Sequence, residues 1–285
     1  MLLAVDIGNT NIVMGLFDAE KMTHHWRVQS NRSRTVDDYG HQVCYMIDRA
    51  VGCGKVDGVV IGSVVPNLTY VFEKLSHRYF ELDPYLVHGR SDLGLIYEVE
   101  SPHELIGADR IANTLAVKER YAENCLVVDM GTATTFDLVT GDGRYLGGVI
   151  APGIITGAES LVKKAAMLHR VEIETPKSVI CKNTETMMQS GIVFGAVGQI
   201  DGLVEKIKEE WGVPCKVIAT GGFVNMLAHY SRQFDIVDPN LTLDGLRIAY
   251  QKLSKKKQIK YYRFQPVGIY QPQFIASDRH NRISH

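Results

Sequence analysis

The stretch LLAVDIGNTNIVMGLF at residues 2–17 decides the fold, because it joins two apolar runs through a short polar turn. Leu2 to Asp6 is a β-type run that ends in a carboxylate, and Ile12 to Phe17 resumes the apolar pattern after Gly8 to Asn11. This pattern predicts a strand, a tight turn and a returning strand. Backbone N–H groups in such a turn can bind phosphate oxygens, and the aspartate beside them can hold hydrated Mg²⁺.

The same motif returns in the second half of the chain. Residues 125–139 read CLVVDMGTATTFDLV, so Asp129 again ends an apolar run, and Gly131 and Thr132 form the turn. One D-x-G-x-T turn is a weak signal, but its recurrence indicates an internal duplication. Two such turns that face each other would hold the phosphates of a nucleotide from both sides.

Two further apolar runs, Val59 to Val65 and Lys216 to Ala219, occupy matching places in the two halves. The second run is closed by Thr220-Gly221-Gly222, where glycines let the backbone approach a flat ligand closely. We therefore predict an α/β fold of two duplicated halves with equivalent phosphate-facing turns. A cleft that binds the phosphates of a nucleotide is expected between the two halves.

The predicted domains are an N-terminal domain at 1–116 and a C-terminal domain at 117–253. Residues 254–285 lose apolar periodicity and are predicted to form a disordered basic tail, with seven basic residues and one acidic residue. The net charge of the whole chain is −1, so the part before the tail is acidic. An acidic body binds nucleic acid poorly, and no nucleic-acid partner is expected.

Composition and length exclude several classes of protein. The 285 residues are 45% apolar and 22% charged, which is ordinary globular usage rather than that of collagen-like or disordered chains. The longest uncharged stretches, at 58–72 and 186–200, fall short of the roughly 20 residues that span a bilayer. The N-terminus lacks the basic region of a secretory signal, so a cytoplasmic protein without a membrane partner is predicted.

Motifs of other enzyme classes are absent from the sequence. It has no P-loop, no Rossmann G-x-G-x-x-G after the first strand, no H-E-x-x-H and no G-x-S-x-G. The five cysteines form no C-x-x-C pair. A hydrolase elbow or a cysteine-bound zinc is therefore not expected.

The chain as a whole resembles the type III pantothenate kinases, within the acetate and sugar kinase, heat-shock chaperone and actin superfamily. The resemblance extends from residue 1 to about residue 249. The motifs that carry it are DIGNTN at 6–11, GSVVP at 62–66, GADRIAN at 107–113, DMGTATTF at 129–136, GGVIAPGI at 147–154, KNT at 182–184, QSGI at 189–192, IATGG at 218–222 and DPNLTLDGL at 238–246.

This resemblance implies an α/β fold of two duplicated ribonuclease-H-like domains, each a mixed central sheet flanked by helices, with ATP in the cleft between them. It also implies transfer of the γ-phosphoryl group of ATP to pantothenate, which gives 4′-phosphopantothenate in the first step of coenzyme A biosynthesis. Mg²⁺ and a monovalent cation, K⁺ or NH₄⁺, are the implied cofactors. The implied assembly is a homodimer whose interface helps to shape the pantothenate site.

The resemblance also assigns roles to residues. Asp109 is the implied catalytic base, Asp129 the residue that holds the monovalent cation, and Asp6 the residue near Mg²⁺ and the phosphates. The implied ATP-binding residues are Asp6, Ile7, Gly8, Asn9, Thr10, Asn11, Ile12, Val13 and Thr132. The implied pantothenate-binding residues are Tyr97, Gly107, Ala108, Asp109, Arg110 and Thr184.

Tyr97 is a candidate for the role of a family tyrosine that is missing here. Family members carry a substrate-contacting tyrosine in a Y-x-N-P pattern, and here Pro102 matches the proline whereas Val99 stands at the tyrosine position. Tyr97 could fill the role if the loop follows a different path.

Arg110 and Thr184 also have alternative interpretations. Arg110 could bind the pantothenate carboxylate or hold Asp109 in place. Asp109 and Arg110 could instead be an exposed charge pair in the first turn of a helix. Thr184 could equally be a helix cap.

Two other functions remain open. One is a kinase for a different small molecule, and the other is a non-catalytic regulator on the same scaffold. A regulator has no need of Asp6, Asp109 and Asp129 together, so their joint presence favours the enzyme.

Overall fold

The computed structural model describes residues 1–263, which hold two β-sheets. The first sheet has the order β3-β2-β1-β4-β5, with β1 at Leu2–Ile7, β2 at Asn11–Asp18, β3 at Lys21–Gln29, β4 at Gly58–Ser63 and β5 at Tyr85–Val87. The second sheet has the order β11-β10-β7-β8-β9-β6, with β6 at Ile96–Tyr97, β7 at Cys125–Met130, β8 at Ala133–Val139, β9 at Arg144–Pro152, β10 at Lys216–Thr220 and β11 at Ile236–Val237.

Five strands of each sheet repeat one topology, which confirms the predicted duplication. β1 pairs antiparallel with β2 and parallel with β4, and β7 pairs in the same way with β8 and β10. β1 and β7 are central strands and are buried on both faces except at their aspartates. Burial on both faces explains why each reads as a continuous apolar run rather than as an alternating one.

Seven α-helices surround the sheets within the described residues. They are α1 at Val36–Ala50, α2 at Pro66–Leu75, α3 at Ala108–Arg120, α4 at Ile154–Lys164, α5 at Thr184–Trp211, α6 at Val224–Leu227 and α7 at Leu241–Arg263. Short 3-10 turns lie at Cys53–Lys55 and His103–Leu105, and a π-helical turn at Ser76–Phe80 extends α2. None of the helices in this part of the chain combines the length and apolarity needed to cross a bilayer.

α3 and α7 lie between the two sheets. Ile111 and Leu115 of α3 pack with Leu246 of α7 against the first sheet, whereas Val117 of α3 and Leu241 of α7 pack against the second. The outer face of the first sheet is covered by α1 and α2, and that of the second by α4 and α5. Asp109, in the first turn of α3, is thereby placed between the two halves.

Two elements cross the predicted domain boundary, which itself falls inside α3. β6, from the first half of the chain, pairs with β9 of the second sheet. α7, from the second half, packs against β1 and β4 of the first sheet. The two sheets mark two structural halves, but the chain exchanges one element in each direction.

Some predicted elements have different bounds. The sequence from Phe223 onward predicts a helix, but the structure has only the single turn α6 there, and no pattern in the sequence analysis predicts α1. The apolar spacing at 158–168, after the glycine-rich stretch 147–157, predicts a helix that in the structure begins four residues earlier, at Ile154. Residues 254–263 of the predicted tail are helical, because α7 continues through Arg263, so the prediction is wrong for this part. The rest of the predicted tail, 264–285, lies outside the described residues.

Candidate active site

The two turns that the sequence singles out lie directly opposite each other. The first turn, at residues 8–11, is called turn one and is closed by a hydrogen bond from Gly8 N to Asn11 O (3.0 Å). The second, at residues 131–133, is called turn two and is closed by a hydrogen bond from Gly131 N to Ala133 O (3.0 Å). The hydroxyl oxygens of Thr10 and Thr132 are 2.8 Å apart across the gap. A polyphosphate that enters between the turns must therefore replace this hydroxyl contact.

Hydrogen bonds from neighbouring side chains stabilise both turns. The Ser30 hydroxyl donates to Gly8 O (2.6 Å), and the Arg32 guanidinium donates to the Asn9 side chain (2.9 Å). On the other side, the Thr156 hydroxyl donates to Thr132 O (2.6 Å). All three bonds are accepted by oxygen atoms of the turns, so they use none of the turn N–H groups, which are the groups that bind an anion.

Not every residue of turn one can contact a ligand through its side chain. Ile7 and Ile12 are fully buried in the core of the first sheet, and Val13 is partly buried against the core between the sheets. Their predicted part in ATP binding is therefore limited to the backbone or to supporting the turn.

Three aspartates from different elements converge on the gap between the turns. Asp6 ends β1, Asp129 lies at the end of β7, and Asp109 lies in the first turn of α3. Burial, with the nearby charges of Asp109 and Asp129, raises the pKa of Asp6 well above its usual range. Burial and the charge of Asp109 raise the pKa of Asp129 to about 7. Mutual repulsion of this kind requires the three carboxylates to share one small region.

Asp129 is fixed by a relay from both helices that lie between the sheets. The Asn113 side-chain amide of α3 donates to Asp129 Oδ2 (3.2 Å), and the Thr242 hydroxyl of α7 donates to Asn113 Oδ1 (2.9 Å). Asn113 is almost completely buried. The relay orients the carboxylate and leaves its other oxygen, Oδ1, beside Gly221.

Gly221 is required by this close approach. Its φ is +96°, and a Cβ there would lie 2.5 Å from Met130 N and 2.6 Å from Asp129 Oδ1. Only glycine adopts this conformation without strain and leaves room for the carboxylate. The Gly221-Gly222 loop therefore packs directly on the end of β7, next to turn two.

Arg110 is anchored on the side of the second sheet. Its Nε atom lies 3.6 Å from Asp137 Oδ1, and its Nη1 donates to the Tyr145 hydroxyl (3.2 Å). Asp137 is fully buried and also accepts hydrogen bonds from Tyr145 (2.9 Å) and Thr135 (3.0 Å). Arg110 keeps 18% of its side chain exposed, so part of the guanidinium can still reach a ligand. Asp109 is held separately, because its Oδ1 accepts from the backbone N–H of Arg110 (2.8 Å).

Three other residues predicted to bind pantothenate have no polar side-chain contact with the aspartates or the turns. Gly107 is the N-cap position of α3, and Ala108 is buried beneath it. Tyr97 lies in β6 with its ring 5.0 Å from that of His103, and its hydroxyl is buried without a hydrogen-bond partner among the described residues. Because this hydroxyl is buried, its contact with substrate stays a prediction.

Thr184 is the first residue of α5 and is exposed, whereas the cap of that helix is Asn183, whose side chain accepts from Thr186 N (2.9 Å). The alternative that Thr184 is the cap is therefore wrong. Thr184 lines a groove of about 640 Å³ between α4 and α5. Gly153 lines the same groove and packs against the carbonyls of turn two, so the groove adjoins the gap between the turns.

The donor set suits cations that also bind phosphate. Among the described residues, no cluster of three or more His, Cys, Asp or Glu side chains could hold a metal alone. Mg²⁺ usually takes one or two carboxylates and completes its shell with phosphate oxygens and water. Asp6 and Asp129 supply carboxylates of this kind. Burial first, and neighbouring carboxylates second, raise the pKa of each, and a bound cation would stabilise their ionised forms.

Comparison with known proteins identifies the family. Residues 2–206 match the family model described as type III pantothenate kinase. The chain belongs to the type III pantothenate kinase family. The type III pantothenate kinase of Citrifermentans bemidjiense is 46% identical over 255 residues, which cover 88% of this chain and 99% of the relative. That of Geobacillus sp. strain WCH70 is 41% identical over 259 residues, which cover 90% of this chain and all of the relative.

Solved structures support the same fold at lower identity. A conserved Baf family protein from Campylobacter jejuni gives a TM-score of 0.54 at 19% identity, covering 90% of this chain and 99% of its own. Component A of the (R)-2-hydroxyglutaryl-CoA dehydratase of Acidaminococcus fermentans gives 0.52 at 11% identity, with coverages of 90% and 98%. The type III pantothenate kinase fold is therefore shared with proteins of distant sequence.

Sequence reasoning missed several residues that support this kinase site. Asn113 could have been found, because it stands one helical turn after Asp109 and so shares its face of α3. Asp137 carries a weaker signal, an acid inside the otherwise apolar run from Phe136 to Val139. Thr242 carries none, because its contact with Asn113 joins residues 129 positions apart.

Proposed function

We propose that this protein transfers the γ-phosphoryl group of ATP to the primary hydroxyl of pantothenate, with Asp109 as the base. Membership of the type III pantothenate kinase family supports the reaction and its substrates. The observation that carries the residue roles is the convergence of Asp6, Asp109 and Asp129 beside two opposed turns. The cytoplasmic location predicted from the sequence stays a prediction.

The turns and the carboxylates divide the work of phosphoryl transfer. This reaction needs positioning and charge stabilisation more than covalent chemistry. Backbone N–H groups of both turns and the Thr10 and Thr132 hydroxyls would bind phosphate oxygens. Asp6 would hold Mg²⁺ with the phosphates and Asp129 the monovalent cation, K⁺ or NH₄⁺; when bound, these cations neutralise negative charge on the phosphates.

Asp109 is suited to the acceptor side of the reaction. It lies at the start of α3 between the two halves, near the other two aspartates but not in either phosphate-binding turn. Its carboxylate would accept the hydroxyl proton of pantothenate as the oxygen attacks phosphorus, an effect worth roughly 10²- to 10⁴-fold in rate. Arg110, held by Asp137, would bind the pantothenate carboxylate, since guanidinium and carboxylate form strong charge-assisted hydrogen bonds.

The groove between α4 and α5 supports the proposed place of pantothenate and of a second subunit. It adjoins turn two and includes Thr184, the predicted substrate contact. Its rim exposes apolar side chains, among them Leu161 and Met187. We infer that the homodimer forms over this face, and sedimentation velocity on the purified protein tests it; a monomer at micromolar concentration would contradict it.

Steady-state kinetics test the activity and the base together. Purified protein should release ADP only when ATP, Mg²⁺, K⁺ and pantothenate are all present. The Asp109→Asn variant should bind ATP normally and lose at least about 100-fold in kcat. Glu104→Gln, an exposed carboxylate on the preceding turn, is the matched control and should keep its activity.

Each outcome of this experiment has a separate meaning. Turnover of another small alcohol in place of pantothenate would replace the proposed substrate. No pantothenate-dependent ADP release by the wild type would favour a regulator. Near-normal turnover by Asp109→Asn would remove Asp109 as the base while leaving the activity intact.

A further inference from the structure

Arg27 lies on the same face of the first sheet as Asp6. In the register of the sheet, Asp6 of β1 stands opposite Val13 of β2, and Val13 stands opposite Arg27 of β3. Residues directly opposite each other across strands project to the same face. This places Arg27 two strands from Asp6, on the face that looks toward α3, α7 and the second sheet.

The Arg27 guanidinium also reaches the other half of the molecule. A Cβ built on Gly222 would lie 2.7 Å from Arg27 Nη1 and 3.5 Å from Arg27 Cζ. Gly222 follows Gly221, which packs on the end of β7 beside Asp129. One exposed arginine therefore spans the cleft from the strand beside turn one to the loop beside turn two.

Arg27 has no counter-ion in the described part of the chain, although it lies near an acidic cluster. No carboxylate of the described residues lies within ion-pair distance of its guanidinium, whereas Arg110, the other arginine near the cluster, is paired with buried Asp137. In the second sheet the position that corresponds to Arg27 is Ile150, because Asp129 stands opposite Thr135 and Thr135 opposite Ile150. The cation is therefore a feature of one half only and does not follow from the duplication.

We propose that Arg27 binds the polyphosphate of ATP and joins the two halves of the site through that contact. The proposal rests on the proposed function, because it assumes that ATP occupies the cleft. Arginine presents several N–H groups in a planar fork that matches phosphate oxygens. A triphosphate beside three aspartates needs such a cation, and Arg27 is placed to supply it from β3, two strands from Asp6 and next to the Gly221-Gly222 loop.

Calorimetric titration of the full chain with a non-hydrolysable ATP analogue, and separately with adenosine, tests the proposal. Arg27→Gln should weaken binding of the analogue about 10- to 100-fold, as expected for loss of a charge-assisted hydrogen bond. Binding of adenosine, which has no phosphate, should not change. Arg27→Lys should give an intermediate loss, because it keeps the charge without the fork.

Kinetics supply a second readout and a control. Arg27→Gln should raise KM for ATP while KM for pantothenate, measured at saturating ATP, stays unchanged. Arg49→Gln, an exposed arginine at the end of α1, should behave as wild type in every measurement.

Two results would overturn the proposal. One is unchanged affinity of Arg27→Gln for the ATP analogue, and the other is an equal loss for adenosine, which would place Arg27 on the nucleoside. Failure of the proposed function is seen separately, as absence of pantothenate turnover by the wild type, and the titration remains informative in that case.

Discussion

Replacing Asp137 by alanine removes the buried anion on which Arg110 depends. Asp137 is fully buried in β8, accepts hydrogen bonds from Tyr145 and Thr135 at 2.9 and 3.0 Å, and lies 3.6 Å from Arg110 Nε. The alanine variant leaves both hydroxyls without their acceptor and the guanidinium without its counter-ion. The expected consequence is a loss of stability together with a misplaced Arg110.

The size of the loss in unfolding free energy follows from the burial of Asp137 and its partners. Removing one partner of a buried ion pair costs about 3–5 kcal/mol, because the remaining charge is left uncompensated. Burial raises the pKa of Asp137 despite Arg110, so the cost of burying the carboxylate is larger than the gain from the pair. The cost therefore lies in breaking the pair, and Asp137→Asn, which keeps the volume and an acceptor oxygen, should lose about 1.5–3 kcal/mol.

Urea unfolding at pH 7.5 and steady-state kinetics measure the two effects. Stability should decrease in the order wild type, Asp137→Asn, Asp137→Ala. Both variants should raise KM for pantothenate and leave the affinity for ATP unchanged, because Arg110 is proposed to bind the pantothenate carboxylate. Tyr145→Phe, which removes one of the hydroxyl donors, should cost about 1 kcal/mol.

The reasoning fails if Asp137→Ala unfolds within about 1 kcal/mol of the wild type. If stability falls but KM for pantothenate does not move, the pair supports the fold and has no part in positioning Arg110 for substrate.

Two other predictions concern the second turn and its neighbouring loop. Because the pKa of Asp129 is raised to about 7 from an unfolded value near 3.8, the ligand-free wild type should lose stability as pH rises through that interval. Asp129→Asn should show a smaller decline and be about 2–4 kcal/mol more stable than the wild type at pH 8 in potassium-free urea unfolding, though inactive. Parallel pH profiles of the two proteins would contradict this. Gly221 has a φ of +96° and no room for a Cβ, so Gly221→Ala should lower the free energy of unfolding by more than about 3 kcal/mol. Gly212 has a φ of +63° and open space around it, so Gly212→Ala should lower it by only about 1–2 kcal/mol in the same measurement.

Local patterns predicted much of the fold correctly. The strand, turn and strand at the start of each half depend on neighbouring residues, since Gly8 N bonds to Asn11 O only three positions later. Helix α1 was missed although its start carries a local signal, a capping box between Thr35 and Asp38. A periodic pattern shows that a helix forms, but not which sheet it covers: α7 closes the first sheet from the other end of the chain.

Some residues of the candidate site could be predicted from the sequence, and others could not. Asp6, Asp109 and Asp129 could be selected from the sequence because each stands in a motif. Arg27 and Asp137 could not, because their roles depend on cross-strand register and on partners distant in the chain. Nothing in the residues around Arg27 indicates that its side chain reaches Gly222.

The sequence by itself determined the duplicated strand-turn-strand units and the family, because hydrogen-bonded turns and apolar runs are set by residues close together in the chain. The tertiary structure alone decided how the units meet: Thr10 against Thr132, Arg27 against Gly222 and Asn113 against Asp129. These contacts join residues far apart in sequence, and the packing of α3 and α7 between the sheets brings them together.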